Sequence, residues 1–147
     1  MYKNLLAAID LTEGPARRVL ETAKELAGPD TRIQVLHVVE PQYVQYSFDP
    51  TFSGAMTRSL ESEAQATAQR RIAELCAPFG INEGNQHVTM GHAATLIHKF
   101  ASDNDCDLIV IGSHGYRGWQ RLLGSTANAV LHGAPVDVWT CHISKET

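Results

Sequence analysis

The segment 107-DLIVIGSHGYRGWQRLLGSTA-127 decides the fold that this sequence predicts. It opens with Asp107–Ile111, an almost wholly apolar run that indicates a buried strand. Glycines follow at positions 112, 115, 118 and 124, and a helical pattern begins at Ser125. Glycine lets backbone N–H groups approach a ligand closely, and a helix N-terminus adds unpaired N–H groups and a positive dipole end. A loop of this kind between strand and helix predicts a cradle for the phosphates of a nucleotide.

Working outward from this segment, short apolar runs alternate with helical patterns along the whole chain. Strands are predicted at Leu5–Ile9, Ile33–Val39, Val88–Met90, Asp107–Ile111 and Val136–Ile143, and helices at 12–26, 56–77, 93–101 and 125–132. Thr12 is expected to cap the first helix. The alternation predicts an α/β fold, a parallel sheet with helices on both faces. Ligands of such sheets bind outside the carboxyl ends of the strands, where the strand order reverses. Asp10 and Gly112 would line that crevice if the first and fourth strands are neighbours.

The composition excludes several classes of protein. A chain of 147 residues is expected to form one domain. Twelve basic and sixteen acidic residues give a net charge of −4, without the basic excess of nucleic-acid binders. No apolar run approaches the roughly 18 residues of a membrane span, and the N-terminus lacks the pattern of a signal peptide. We therefore expect a cytoplasmic protein that binds neither nucleic acid nor membranes.

The titratable residues do not form a catalytic or metal-binding pattern. Cys76, Cys106 and Cys141 are odd in number and form no C-x-x-C pair, so buried, reduced thiols are predicted and a metal site is not. His114 titrates near neutral pH, but no nucleophile or metal-ligand spacing accompanies it, and we interpret it as ordering the loop. Without a general base or a phosphate-directed lysine in the loop, a nucleotide hydrolase is disfavoured. The sequence predicts a protein that is not an enzyme. Weak ATP hydrolysis is the one activity that this prediction leaves open.

Generic nucleotide motifs are absent: neither G-x-G-x-x-G nor a P-loop ending in G-K-S/T occurs. The loop glycines alone are weak evidence, because turns require glycine too. Four motifs together are more specific. G-S-H-G (112–115), L-L-G-S-T-A (122–127), A-I-D (8–10) and L-H-V (36–38) resemble the universal stress protein family. The resemblance covers nearly the whole chain, including its length and the order of its elements, so residues 1–147 are expected to be one domain of this type.

The resemblance implies a specific architecture and ligand. The expected fold is a single-domain open parallel sheet of five strands, ordered 3-2-1-4-5, of the Rossmann-like, adenine nucleotide alpha hydrolase-like type. Family resemblance also implies a cytoplasmic homodimer. One branch binds ATP or AMP at the crevice, with magnesium as an optional companion, whereas another branch has lost the glycines and binds no nucleotide. Two functions therefore stay open: a nucleotide-binding regulatory protein, or a dimeric stress-response interaction module with an empty crevice.

The spacing of the glycines departs from that of the nucleotide-binding branch. The branch pattern is G-x2-G-x9-G-[ST], and Gly112, Gly115, Gly124 and Ser125 match its residue types. Only eight residues separate Gly115 from Gly124 here. The shorter loop would tighten or reshape the cradle, which makes a nucleotide with fewer phosphates plausible.

The resemblance also assigns residues to parts of the ligand. Asp10 matches an acidic residue near the adenosine, and Val38 matches a residue that packs on adenine. The other predicted contacts are Ala8 and Ile9 beside the ribose or base, Ile111 and Gly112 beside the ribose, and Gly115, Gly124, Ser125 and Thr126 around the phosphates.

Three of these assignments compete with a structural alternative. Asp10 would also form an Asx turn at a helix entry, and Ser125 and Thr126 would also serve as N-caps. His37 is interpreted as structural, and Arg70-Arg71 as exposed helix positions.

The last predicted strand carries the expected dimer contact. Residues 136–141 lie at a sheet edge in the implied order, and exposed edges invite pairing with another chain. Trp139 would be unfavourable in water and useful across a two-fold axis. The alternative is that Trp139 covers a helix of its own chain.

Overall fold

The computed structural model describes residues 1–40, 54–113 and 125–143. Five strands form one parallel sheet in the order β3-β2-β1-β4-β5. The strands are β1 (Asn4–Ala8), β2 (Arg32–Val39), β3 (Gln86–Met90), β4 (Leu108–Gly112) and β5 (Asp137–Cys141), and the helices are α1 (Glu13–Leu26), α2 (Gly54–Cys76), α3 (Ala93–Asp103) and α4 (Ser125–Leu131). The predicted fold class and strand order are confirmed.

Two apolar layers cover the sheet, one on each face. On the first face, which we call the α1/α2 face, Leu5 and Ala7 pack with buried side chains of α1 and α2. On the opposite α3/α4 face, Leu6 and Ala8 pack with α3 and with Val130 of α4. Successive side chains of a strand point to opposite faces, so the central strands need apolar residues at every position. Because of this requirement, β1 and β4 could be predicted from the apolar runs of the sequence.

The strand order reverses at β1. The chain builds outward from β1 to β2 and β3, then crosses back to β4 and continues to β5. Ala8, the last residue of β1, is paired with Ile111 of β4 and with Leu36 of β2. The carboxyl ends of β1 and β4 are therefore adjacent, as the crevice prediction required.

The predicted element boundaries differ from the observed ones by at most two residues, as element termini usually do. Thr12 is the N-cap residue of α1, as predicted, but its hydroxyl makes no capping hydrogen bond. Instead, Oδ1 of Asp10 accepts a hydrogen bond from the N–H of Thr12 at 3.0 Å. All three cysteines are buried and unpaired, as predicted. Among the described helices, none has the length and apolar character needed to cross a bilayer.

A chain of amide groups crosses the sheet near its amino edge. Gln34 is 1% exposed, and its amide donates to Oδ1 of Asn4 at 3.2 Å, while Asn4 donates to the carbonyl of Asn104 at 2.6 Å. The amide oxygen of Gln34 must then be the acceptor facing Nε2 of His87, 3.1 Å away. A neutral His87 therefore carries its proton on Nε2.

We expect His87 to make the fold less stable in acid. Burial lowers the pKa of His87, and the charge of Arg32 lowers it further. The unfolded chain therefore binds the proton first, so stability is fully present above a pH of about 6.5 and is lost as the pH falls through the lower folded-state value. Because the ring is only half-buried, the loss should be small, roughly 0.5 kcal/mol.

Urea unfolding at pH 7.5 and pH 5.0 would measure this loss. The change between the two pH values should shrink in His87→Gln, which keeps an amide donor for Gln34. It should persist in the control His132→Gln, since His132 is exposed at the end of α4. An equal change in both variants would contradict the assignment to His87.

Candidate functional site

Three of the predicted adenosine contacts lie together at the carboxyl edge of the sheet. Ala8, Val38 and Ile111 all belong to the α3/α4 face. Ala8 and Ile111 are paired across neighbouring strands, and each is 6% exposed. Val38 stands two residues beyond Leu36, the partner of Ala8 on β2, and is half-buried. These side chains form a small apolar floor where the strand order reverses.

Asp10 stands in the turn between β1 and α1. The N–H of Ile9 continues the ladder one residue beyond β1 by donating to the carbonyl of Leu36 at 3.0 Å. Asp10 then accepts the Thr12 N–H, and the carbonyl of Thr12 accepts from Ala16 in the first turn of α1 at 3.0 Å. The Asx turn offered as the alternative role of Asp10 is therefore present. A carboxylate has about four acceptor positions, so this bond leaves capacity for another donor.

The environment of Asp10 moves its pKa in two directions. Burial raises the pKa of this half-buried carboxyl, while the Thr12 N–H and the nearby His37 oppose the rise. The net effect is a raised pKa. Desolvated carboxylates with acceptor capacity are suited to bind hydroxyl or amino donors of a ligand, because such bonds are stronger where water is scarce.

Two side chains from other elements bind the backbone on either side of Asp10. Nδ1 of His37 lies 2.8 Å from the carbonyl oxygen of Ile9, which only accepts, so the histidine donates. Nε of Arg71 donates to the carbonyl of Leu11 at 3.3 Å, and the same guanidinium pairs with Glu74 at 3.1 Å.

The sequence interpretation of these two residues was only partly correct. The structural role given to His37 is confirmed by its bond to Ile9. The prediction that Arg71 is an exposed helix position is wrong, since its side chain is only 34% exposed and reaches the turn after β1. A signal was available: Arg71 follows buried Ala68 by three residues and precedes buried Leu75 by four, which is the spacing of one helix face.

The glycine segment, residues 112–124, begins at the end of β4. The first two residues of this segment are bound to β5 and to the residues that follow it. Gly112 pairs with Cys141 of β5, and the N–H of Ser113 donates to the carbonyl of Cys141 at 2.8 Å. The buried hydroxyl of Ser113 accepts from the N–H of Ile143 at 3.1 Å. Ser113 was not singled out by sequence, because a serine among glycines is typical of any turn.

The predicted phosphate contacts are only partly covered by the described residues. Gly115 and Gly124 lie outside them, as do His114 and Gly118. Ser125 and Thr126 form the start of α4 and are exposed. The phosphate cradle is therefore predicted from the sequence. The residue at its start, Gly112, is paired with Cys141 of β5.

Thr89 of β3 is paired with Val38 and also lies at the carboxyl edge of the sheet. The hydroxyl oxygen of Thr89 is buried and has no hydrogen-bond partner within the described chain. Native structures contain few such atoms, because an unsatisfied buried hydroxyl is unfavourable by about 1–3 kcal/mol. The turn that follows is tightly built: Gly91 has φ +149, and a Cβ there would come within 2.7 Å of Leu96.

A metal centre finds no support in the part of the chain that the structure describes. Residues 1–40, 54–113 and 125–143 contain no cluster of three His, Cys, Asp or Glu side chains suited to hold an ion.

The outer edge of the sheet is the second candidate site. β5 is an edge strand, and Trp139 is 47% exposed. Trp139 stands two residues before Cys141 on β5, and residues two apart on a strand share a face, so the indole lies on the α1/α2 side of the sheet. Its own chain covers only about half of it. An exposed tryptophan on an unpaired edge is typical of a contact with another chain.

The chain is similar to known proteins over nearly its whole length. The model of the universal stress protein family matches residues 1–142. Universal stress protein A homolog 2 of Coxiella burnetii is 38% identical over 143 residues, which is 97% of this chain and 96% of that protein.

Solved structures resemble the chain over nearly its full length. A hypothetical protein studied as a structural-genomics test case superposes with a TM-score of 0.79 at 20% identity, covering 98% of both chains. A universal stress protein in complex with cAMP superposes with a TM-score of 0.65 at 18% identity, covering 97% of this chain and 99% of that one. These likenesses support the fold.

Proposed function

Because this chain belongs to the universal stress protein family, we propose that it is a cytoplasmic regulatory protein that binds an adenine nucleotide between β1 and β4. One observation carries the proposal. Ala8, Ile111 and Val38 form an apolar floor beside Asp10 at the carboxyl edge, where the strand order reverses. Open α/β sheets bind ligands at this position. The cAMP complex of a structurally similar protein adds support for an adenine compound.

The adenosine end of the ligand would bind the apolar floor. Adenine would pack on Val38, and the ribose would lie near Ala8, Ile111, Gly112 and the backbone of Ile9, whose side chain is buried on the α1/α2 face. Asp10 would accept a hydrogen bond from a ribose hydroxyl, using the carboxylate capacity that Thr12 leaves. The unpartnered hydroxyl of Thr89 beside Val38 fits this arrangement, since a polar group near the base would satisfy it.

The phosphates would bind backbone N–H groups of the glycine segment. Gly115, Gly124, Ser125 and Thr126 are the proposed contacts, and the short loop favours AMP over ATP. Magnesium is bound in nucleotide sites largely through phosphate oxygens and water, so its presence with ATP would need no acidic cluster of its own. We propose signalling by occupancy rather than by turnover.

Isothermal titration calorimetry with ATP, ADP, AMP and cAMP tests this function. The wild-type protein should bind at least one of them, and Asp10→Asn should weaken binding about tenfold, because a hydrogen bond to a charged group is worth about 1.5 kcal/mol or more. Asparagine keeps an oxygen for the Thr12 N–H, so the turn should persist. Asp103→Asn is the matched control, since Asp103 is an exposed residue of α3 paired with Lys99.

A wild-type protein that binds none of these compounds would sink the proposal. The dimeric interaction module would then become the better function, and it has its own supporting observation in the half-exposed Trp139 on the β5 edge. We propose a homodimer through this strand in either case.

A further inference from the structure

The turn that carries Asp10 is bound by side chains from two other elements. We propose that His37 and Arg71 are positioning residues for the nucleotide: they hold the backbone of residues 9–11 in the conformation that presents Asp10 to the adenosine. This inference rests on the proposed function and assigns it two residues that lie outside the predicted contact set.

On the β2 side, both backbone groups of Ile9 are bound. Its N–H donates to the carbonyl of Leu36 at 3.0 Å, and its carbonyl accepts from Nδ1 of His37 at 2.8 Å. The two bonds involve consecutive residues of one strand, so the position of Ile9 is fixed relative to β2 and hence to Val38. The adenine-packing residue and the start of the Asp10 turn are thereby held in one rigid unit.

On the α2 side, Arg71 binds the carbonyl of Leu11 at 3.3 Å. Glu74, one turn further along α2, pairs with the same guanidinium at 3.1 Å and restricts its orientation. The carbonyls of Ile9 and Leu11, the residues before and after Asp10, are thus bound by side chains from two different elements, β2 and α2. The bond from the Thr12 N–H to the Asp10 carboxylate closes the arrangement.

The need for these donors follows from where the strands end. β1 ends at Ala8, whereas β2 continues to Val39, so the carbonyls of Ile9 and Leu11 lie beyond the β1 ladder and before α1. Partly buried carbonyls require donors, and here side chains supply them. Both bonds end on irregular backbone next to Asp10 rather than on a helix or strand. Their loss should loosen the turn and leave the sheet intact.

A turn held before the ligand arrives lowers the ordering that binding requires. Arg71→Met should therefore weaken AMP binding about fivefold, within the range of measured couplings between neighbouring residues. Arg70→Met is the matched control: Arg70 is the preceding residue, is exposed, and donates a hydrogen bond to the hydroxyl of Thr67 on its own helix. It should bind AMP like the wild type. Arg71→Lys, which retains a donor, should recover part of the affinity.

A double-mutant cycle separates positioning from general stability. In an Asp10→Ala background, Arg71→Met should change AMP affinity less than about 1.5-fold, because the residue on which it acts is gone. A merely structural role would produce the same loss in both backgrounds. Hydrogen exchange at the Thr12 amide should be about tenfold faster in Arg71→Met and His37→Phe, while amides within β4 keep their protection.

The possible outcomes are distinct. If wild-type protein binds no adenine nucleotide, the proposed function fails, and this inference fails with it. If the wild type binds AMP and Arg71→Met equals Arg70→Met, the positioning role alone is overturned. An equal loss with and without Asp10 would likewise overturn it. The expected result is that Arg71→Met weakens AMP binding when Asp10 is present but not in the Asp10→Ala variant. Hydrogen exchange at the Thr12 amide should also be faster in Arg71→Met.

Discussion

Replacing Gly124 with valine is expected to abolish adenine-nucleotide binding while leaving the protein folded. Gly124 directly precedes Ser125, the first residue of α4, at the end of the predicted phosphate segment. Phosphates would bind backbone N–H groups there, and a β-branched side chain would keep them at a distance. Losing two bonds to a charged ligand, at about 1.5–3 kcal/mol each, predicts a loss of about 100-fold or more.

Calorimetry and thermal unfolding on the same preparations would test this expectation. Gly84→Val is the matched control, because a Cβ at Gly84 would meet nothing within 4 Å and the residue lies in a turn before β3. The control should bind like the wild type. Undiminished binding by Gly124→Val would mean that the phosphates lie elsewhere. Rapid phosphate release from ATP in the same incubation would favour the hydrolase over the regulatory protein.

Replacing Trp139 with glutamate is expected to convert a homodimer into a monomer. Trp139 is 47% exposed on the β5 edge, and edge strands pair readily with a second copy of the same strand. Two buried glutamates facing each other across a two-fold axis would strongly disfavour association. We expect dissociation to be complete at micromolar concentration, measured by light scattering or sedimentation.

Two control variants test whether dissociation depends on the position of Trp139 or only on the added negative charge. Trp139→Phe keeps an aromatic side chain and should retain the dimer. Arg70→Glu also adds negative charge, but on an exposed position of α2, which packs against β2 and β3 rather than β5. It should remain dimeric. If Trp139→Glu is still a dimer, the interface lies elsewhere, and the half-exposed indole needs another explanation.

The elements of the fold could be predicted because apolar periodicity is a local property. β1 and β4 are buried on both faces, so their sequences are continuous apolar runs that need no knowledge of their neighbours. The strand order did not come from periodicity. It came from the resemblance of four short motifs to a known family, and the observed pairing agrees with it.

The contacts around Asp10 could not be predicted in the same way. His37 is 28 residues from Ile9, and Arg71 is 60 residues from Leu11. Which carbonyls need a side-chain donor depends on where β1 stops relative to β2, and a difference of one residue would change the answer. The same holds for Ser113, whose hydroxyl binds the N–H of Ile143 thirty residues later.

The sequence by itself determined the alternation of strands and helices, the burial of the cysteines and the position of Asp10 at a strand end. Only the tertiary structure decided that Ala8, Val38 and Ile111 share one face beside it, and that His37 and Arg71 bind the turn. The physical reason is that burial of apolar side chains is non-directional and needs only the right kind of residue at the right period. Hydrogen bonds require particular atoms within about 3 Å, and strand register and helix packing set those distances.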